Sequence, residues 1–160
     1  MDLVNISKEH TILYVVQNLE NKEIVLQILA MYPEKIIKTV ETLLEYASPN
    51  FQKVRNLIVV IAESFPGFAL DIVKSVIGRI PHRETSQEYV YGIFQSISDD
   101  DYAIKIAEIA IKKNICYPQN LVLRRPTLAV CIASLSCCTP SDISAIMRMN
   151  SDQFKGLKIS

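Results

Sequence analysis

Glycine, histidine and tryptophan are scarce in this sequence. Its 160 residues include four glycines, two histidines and no tryptophan. β-Sandwiches and barrels need frequent glycine-rich turns, and phosphate-binding loops need glycine where backbone meets ligand, so neither class is favoured. The motifs GxGxxG, GxxxxGK, HExxH and CxxC are all absent, and His82 is predicted to be a solvated turn residue. We therefore expect no cofactor and no metal site.

The sequence also lacks a net charge and a long apolar run. Lysine plus arginine and aspartate plus glutamate both number 17, so no global field attracts nucleic acid or an anionic membrane surface. The longest apolar stretches, residues 57–62 and 128–138, fall short of the roughly 20 residues that a membrane span requires. The first ten residues show no basic segment followed by an apolar core. The expectation is a soluble cytoplasmic protein without membrane contact.

Three of the four cysteines, Cys131, Cys137 and Cys138, lie in the apolar run LAVCIASLSCC. Without a predicted secretory signal, we expect free thiols that pack in the core. Cys116 lies in a predicted loop and is expected to be exposed. A nucleophilic cysteine needs a nearby base and an electropositive setting, which this apolar run does not indicate. The sequence therefore favours a protein that is not an enzyme.

Apolar residues recur at steps of three and four through nearly the whole chain, which predicts an all-α fold. Proline 33, 49, 66, 126 and 140 each stand where a helix begins, the place where a proline costs least. Ser48, Ser98 and Thr139 are predicted N-caps. The predicted helices are residues 8–18, 22–32, 34–47, 50–64, 67–79, 84–97, 99–113, 127–138 and 141–149.

The predicted organisation is one helical domain, residues 1–160, in which a repeat-like core spans residues 22–113. A longer loop, residues 114–125, separates this core from a C-terminal helical cap and tail, residues 126–160. The core shows a weak period of 33 residues. A shift by that period carries Pro33 to Pro66, and Val40 to Val73 and then to Ile106. Two helices fall in each period, which predicts helix hairpins that bury their apolar stripes by stacking.

The segment PEKIIKTVETLLEYASPNFQKVRNLIVVIAES, residues 33–64, resembles one unit of the HEAT and armadillo-like α-solenoids. A proline starts its first helix, and Val54 and Arg55 stand in the family's Val-Arg position. The resemblance implies a superhelical stack whose second helices line a concave binding face, over two to three repeats. The turn lacks the family's usual acidic residue, and the second unit has no Val-Arg pair. A closed helical bundle is the alternative, because bundles of similar helices also show such periods.

This architecture favours a non-enzymatic protein-interaction module, a scaffold, adaptor or inhibitor, with a protein or peptide partner. Tyrosine and arginine are over-represented in interface hot spots. The predicted partner-binding residues are Arg55, Arg83 and Tyr89; Tyr89 is expected to be exposed, whereas Tyr91 and Phe94 fit the core stripe of the same helix.

Three other readings remain open. The alternative function is nucleic-acid binding through a locally basic groove, with the clusters Arg79–His82–Arg83 and Arg124–Arg125 as candidates for phosphate or acidic contacts. An enzyme whose site assembles from scattered residues is a third reading. The apolar segment HTILYVVQNL, residues 10–19, predicts a possible homodimer.

Overall fold

The computed structural model describes residues 7–47 and 50–155. Within these ranges the chain forms ten α-helices and no strand, so the all-α prediction is confirmed. The predicted cap Ser48 and the predicted helix-starting Pro49 lie outside the described residues. The helices are α1 (Thr11–Gln17), α2 (Lys22–Met31), α3 (Ile36–Glu45), α4 (Phe51–Ser64), α5 (Ala69–Arg79), α6 (Arg83–Ser96), α7 (Asp100–Lys112), α8 (Pro118–Arg124), α9 (Ala129–Ala133) and α10 (Pro140–Met149).

Helices α3, α5 and α9 share one way of beginning. Each follows a 3-10 turn that opens with proline: Pro33–Lys35, Pro66–Phe68 and Pro126–Leu128. The residue before each proline has φ between −135° and −124° and ψ between 66° and 77°. A proline disfavours the helical region for the residue before it, and so the preceding helix ends there. The proline boundaries are confirmed, with a 3-10 turn added at each.

Three of the described helices have side-chain N-caps. At α2, Asn21 Oδ1 accepts a hydrogen bond from the Ile24 amide at 3.2 Å. Thr139 Oγ1 accepts a hydrogen bond from the Asp142 amide at 3.1 Å, and the Asp142 carboxylate accepts one from the Thr139 amide at 2.9 Å. This reciprocal capping box satisfies two backbone donors at the start of α10. At α7 the cap is Asp99, whose Oδ1 accepts from the Tyr102 amide at 3.1 Å. The prediction that Ser98 caps this helix is therefore wrong by one residue.

The segment predicted as a long loop, residues 114–125, contains helix α8. Asn114 adopts a positive φ of 56° after α7, a conformation that asparagine tolerates, and Pro118 then occupies the first turn of α8. Seven residues are too few for a helical period to stand out in the sequence. The helix predicted over residues 127–138 is also shorter than expected, because α9 ends at Ala133.

The ten helices pack in two layers that alternate along the chain. In the first layer, α1 contacts α3, α3 contacts α5, α5 contacts α7 and α7 contacts α9. In the second layer, the same order joins α2, α4, α6, α8 and α10. The core lies between the layers. The positions that the 33-residue shift superimposes, Val40, Val73 and Ile106, are all fully buried in it.

Among the described residues, no single helix has both the length and the apolar composition needed to cross a bilayer. One pair of helices, Phe51–Ser64 with Pro66–Arg79, meets those two criteria only when taken together, and it is bent by 110° at the break.

Candidate interaction surface on the second layer

Arg55 connects two neighbouring helices of the second layer. From α4, its Nε donates to the Glu88 backbone carbonyl of α6 at 3.2 Å, and its Nη1 donates to Asn56 Oδ1 at 3.2 Å. The guanidinium passes directly over Gly92, where a Cβ atom would lie 3.1 Å from Arg55 Nη2. A glycine at this point of α6 therefore leaves room for the arginine. Arg55 lies on the second layer, half-buried and bonded to the fold, and its role in partner binding stays a prediction.

Arg83 occupies the first position of α6 and reaches toward α8. Its Nε donates to the Ile115 carbonyl at 3.4 Å, and its guanidinium lies 4.6 Å from the centre of the Tyr117 ring. Gln87 Nε2 donates to the same Ile115 carbonyl at 2.7 Å. The positive φ of Asn114 turns the chain sharply just before this carbonyl. Arg83 thus has an ordered position in contact with an exposed aromatic ring.

Tyr89 is not an exposed anchor, and this prediction is wrong. The side chain is 0% exposed, and its ring meets the Phe51 ring edge-on with centroids 5.5 Å apart. Burial raises the pKa of Tyr89 to about 12, with the nearby Arg55 charge acting in the opposite direction. Its hydroxyl has no hydrogen-bond partner among the described residues. The physical reason for the burial is that α6 packs against α4, α5, α7 and α8, so almost no face of its middle remains free.

The exposed aromatic of this region is Tyr117, which the sequence analysis did not single out. It precedes α8, and its side chain is 53% exposed. On the same helix, the guanidinium of Arg124 lies 3.6 Å from the centre of the Tyr91 ring on α6. Leu123, beside Arg124, is 63% exposed. We call Arg83, Tyr91, Tyr117 and Arg124 the arginine–tyrosine cluster. Two cation–π contacts between α6 and α8 hold it in place.

The structure separates the two predicted basic clusters. Arg79 lies on the first layer and pairs with Glu41 at 3.0 Å and with Glu45 at 3.5 Å. Arg83 lies on the second layer. It is close to Arg124, since both guanidinium charges act to lower the pKa of the same thiol, that of Cys116. His82 is exposed just before α6.

The side chains of Arg125 and Arg124 have different partners and do not form one basic cluster. The side chain of Arg125 is 14% exposed. It donates to the Phe94 carbonyl at 2.9 Å and to the Ile97 carbonyl, and it pairs with Asp100 at 2.5 Å. Arg125 therefore joins the end of α6 to the start of α7, and its role in the fold is structural.

The arginines differ in whether they form an ion pair. Arg79 of α5, and Arg125 at the end of α8, pair with carboxylates. Four others have no carboxylate within 4.0 Å among the described residues, and each belongs to a helix of the second layer: Arg55, Arg83, Arg124 and Arg148. The same layer carries exposed carboxylates on α6, those of Glu84 and Glu88, which also lack an ion pair within the described ranges. The surface is therefore mixed in charge, and these four guanidinium groups form no ion pair.

The cysteine predictions are partly wrong. Cys116, expected to be exposed, is 2% exposed, and Cys131, expected in the core, is exposed. Burial raises the pKa of the Cys116 thiol to about 11 and that of Cys138 to about 12. Cys138 Sγ donates to the Ile132 carbonyl at 3.1 Å. All four cysteines are free thiols, and these two are protonated at neutral pH, which does not suit a nucleophile.

The part of the chain that the structure describes holds no group of three or more histidine, cysteine or acidic residues arranged to bind a metal ion. On α1, Leu13 is 53% exposed while Val15 is fully buried. The homodimer through residues 10–19 stays a prediction.

No protein-family model matches this chain, and no curated protein or solved structure shows significant similarity to it.

Proposed function

We propose that this chain is a non-enzymatic protein-interaction module, built as a HEAT-like α-solenoid, that binds a protein or peptide through its second layer. The alternation of the helices between two layers supports the solenoid, because each hairpin then stacks on the next. Two side-chain contacts also join residues one period apart, 33 positions: Lys53 pairs with Glu20, and Arg55 bonds the Glu88 carbonyl. Within the described residues no extensive contact joins α1 or α2 to α9 or α10, which favours an open stack over a closed bundle.

The arginine–tyrosine cluster is the observation that carries this proposal. Arginine and tyrosine are among the residue types most enriched at the hot spots of protein interfaces. Here the rings hold the two guanidinium groups in place, so less side-chain entropy is lost when a partner binds them. Each guanidinium retains donors that can bind a carboxylate in a planar, bidentate way. The exposed Tyr117 and Leu123 add apolar area beside them. The partner that fits is a protein segment with acidic and apolar side chains.

The charges of α6 favour a protein over a nucleic acid. The exposed carboxylates of Glu84 and Glu88 lie on the same helix as Arg83. A phosphate backbone binds through the sum of many cationic contacts, and carboxylates between those contacts oppose it. A protein partner can instead place its own lysine or arginine opposite these carboxylates.

Affinity capture with three forms of the full chain tests the proposal. The forms are the wild type, the double variant Arg83→Glu/Arg124→Glu, and a control of equal charge change on the first layer, Lys38→Glu/Lys105→Glu. We expect protein partners on the wild type and the control, and a loss of about tenfold or more on the arginine variant, since hot-spot losses exceed 1.4 kcal/mol. Circular dichroism checks that all three are folded. Capture that is identical on all three forms would refute the surface. Capture abolished by nuclease would replace the protein partner with a nucleic acid.

A further inference from the structure

A groove lies on the opposite side of the molecule, between α5 and α7 of the first layer. It has a volume of about 590 Å³ and is lined by Lys74, Ile77, Gly78, Ile109 and Lys113. It shares no residue with the arginine–tyrosine cluster. We propose that this groove is a second binding site, which takes an acidic amphipathic helix of a partner protein.

The charges at the rim of the groove point to an anionic partner. Lys74 and Lys113 are exposed, and neither has a carboxylate within 4.0 Å among the described residues. Their neighbours differ, because Arg79 pairs with Glu41 and Glu45, and Lys112 pairs with Glu108 at 2.5 Å. Asp71, which precedes Lys74 by three residues on α5, is exposed and lies more than 4.0 Å from both ammonium groups. The two unpaired ammonium groups can therefore attract the carboxylates of a partner.

The floor of the groove is apolar. Ile77 and Ile109 are both half-buried, and both line the groove. An apolar surface with charged groups at its edge is the usual composition of a protein interface, where apolar contact contributes affinity and the charged rim contributes specificity.

Gly78 is the residue that keeps the groove open. It lies in the last turn of α5. Glycine makes a helix less stable than alanine does at the same position. A Cβ atom placed there would meet nothing within 4 Å, and its φ is not in the left-handed region. Neither packing nor backbone conformation therefore requires glycine at this position. The glycine leaves the backbone of α5 accessible from the groove, where a partner's side chain could approach it.

A helix fits this groove better than a small molecule does. The groove is open to solvent on one side, whereas a small ligand is normally buried over 70–90% or more of its surface. Two neighbouring helices of one layer form the kind of furrow into which a third helix packs a ridge of side chains. The partner helix would place apolar residues at i, i+3 or i+4, and i+7 on Ile77 and Ile109. Its flanking aspartate or glutamate residues would reach the two lysines.

Selection of peptides on the full-length chain tests this site without assuming a natural partner. A random peptide display library is selected on the wild type and counter-selected on Gly78→Trp, in which an indole fills the groove. We expect enrichment of peptides with helical apolar spacing and a net negative charge. In fluorescence anisotropy, a selected peptide should bind Lys74→Glu/Lys113→Glu about tenfold more weakly than the wild type. Added salt should weaken the binding as well.

Matched controls separate this site from the second layer. The variants Lys38→Glu/Lys105→Glu and Arg83→Glu/Arg124→Glu should bind the peptide within about twofold of the wild type, because neither touches the groove. If only the arginine variant lost binding of the peptide, the proposal of a binding site in the groove would be refuted, whereas the proposal of a second-layer surface would not. Gly78→Ala, which adds one methyl in open space, serves as the folding control for Gly78→Trp.

Three results would overturn the proposal. One is no enriched peptide, and another is enrichment of peptides that bind Gly78→Trp equally well. A third is self-association of the wild type, measured by light scattering, that Gly78→Trp abolishes, because the occupant would then be a second copy of this chain.

Discussion

Two helical glycines, Gly78 and Gly92, should respond in opposite ways to the same substitution. A Cβ at Gly78 of α5 has open space around it, whereas a Cβ at Gly92 of α6 would lie 2.8 Å from Val59 Cγ2 and 3.1 Å from Arg55 Nη2. Ordinary contact begins at 3.4 Å. Because α4 and α6 pack closely and the χ1 rotamer of valine is restricted in a helix, Val59 can change rotamer only at a cost in free energy. Gly92→Ala must therefore push the two helices apart.

The magnitudes follow from these contacts. Alanine is more favourable than glycine inside a helix by about 1 kcal/mol, and by less near a helix end. Gly78→Ala should thus stabilise the protein by about 0.5 kcal/mol. Gly92→Ala receives the same benefit but costs about 1–3 kcal/mol through overpacking, for a net destabilisation of about 1–2 kcal/mol. For a domain of this size, each kcal/mol shifts the melting temperature by about 2–4 °C.

Thermal and urea unfolding followed by circular dichroism measure both variants. The melting temperature should rise slightly in Gly78→Ala and fall in Gly92→Ala. Val59→Ala makes room for the new methyl, so the double variant Gly92→Ala/Val59→Ala should be more stable than the sum of the two single effects. If both alanine variants shift stability in the same direction, or if the double variant is additive, the close packing of α4 on α6 at Gly92 is wrong.

Two further predictions concern groups that the structure assigns to the fold. Arg125→Met should lower stability by about 3 kcal/mol, because charge-assisted hydrogen bonds to backbone carbonyls are lost, while Arg124→Met should cost about 1 kcal/mol or less. Equal costs in chemical denaturation would contradict the division between these adjacent arginines. The Cys116 thiol has its pKa raised by burial from 9.0 to about 11, so its contribution is constant below pH 9 and is lost as the pH rises from about 9 to 11. Cys116→Ala should therefore flatten the fall of stability over that range.

The features that the sequence predicted well are those set by local chemistry. Proline fixes φ and restricts the residue before it, so Pro33, Pro66 and Pro126 mark helix starts wherever the rest of the chain lies. Apolar spacing predicts the buried stripe of each long helix, and Val40, Val73 and Ile106 are buried as expected. The all-α class follows from these two signals alone. Neither depends on which helices become neighbours.

The features that the sequence could not predict depend on neighbours. Tyr89 lies off the predicted stripe of α6, yet α4 covers it, because a central helix of a two-layer stack is enclosed on several sides. Cys116 follows a helix in sequence but is buried beside Tyr91 of another helix. Helix α8 is too short to show a helical period in the sequence. Because α8 is not predicted, the sequence gives no sign that a helix packs on this side of α6. The exposed Tyr117 was overlooked for the same reason.

The separation of Arg124 from Arg125 shows what decides whether a charged residue belongs to the fold or to a binding surface. Arg124 is the last residue of α8, whereas Arg125 leaves the helical conformation before Pro126, with φ −135° and ψ 77°, so the two side chains need not share a face. Arg125 donates to two carbonyls and a carboxylate, and only 14% of its side chain is exposed. Arg124 meets an aromatic face and one carbonyl, and its remaining donors are free.

Cations without carboxylate partners are found on both proposed surfaces. On the second layer, guanidinium groups without carboxylate partners lie against tyrosine rings, and on the first layer, ammonium groups without carboxylate partners flank two isoleucines. In both places cations without an ion pair lie beside apolar area, although each layer also carries exposed carboxylates that form no ion pair, such as Glu88 and Asp71. Because the chain has as many carboxylates as cations, the missing ion pairs are a matter of arrangement rather than composition. Partners that bring carboxylates next to apolar side chains would complete either surface, and two such surfaces on opposite layers would allow one module to hold two proteins at once.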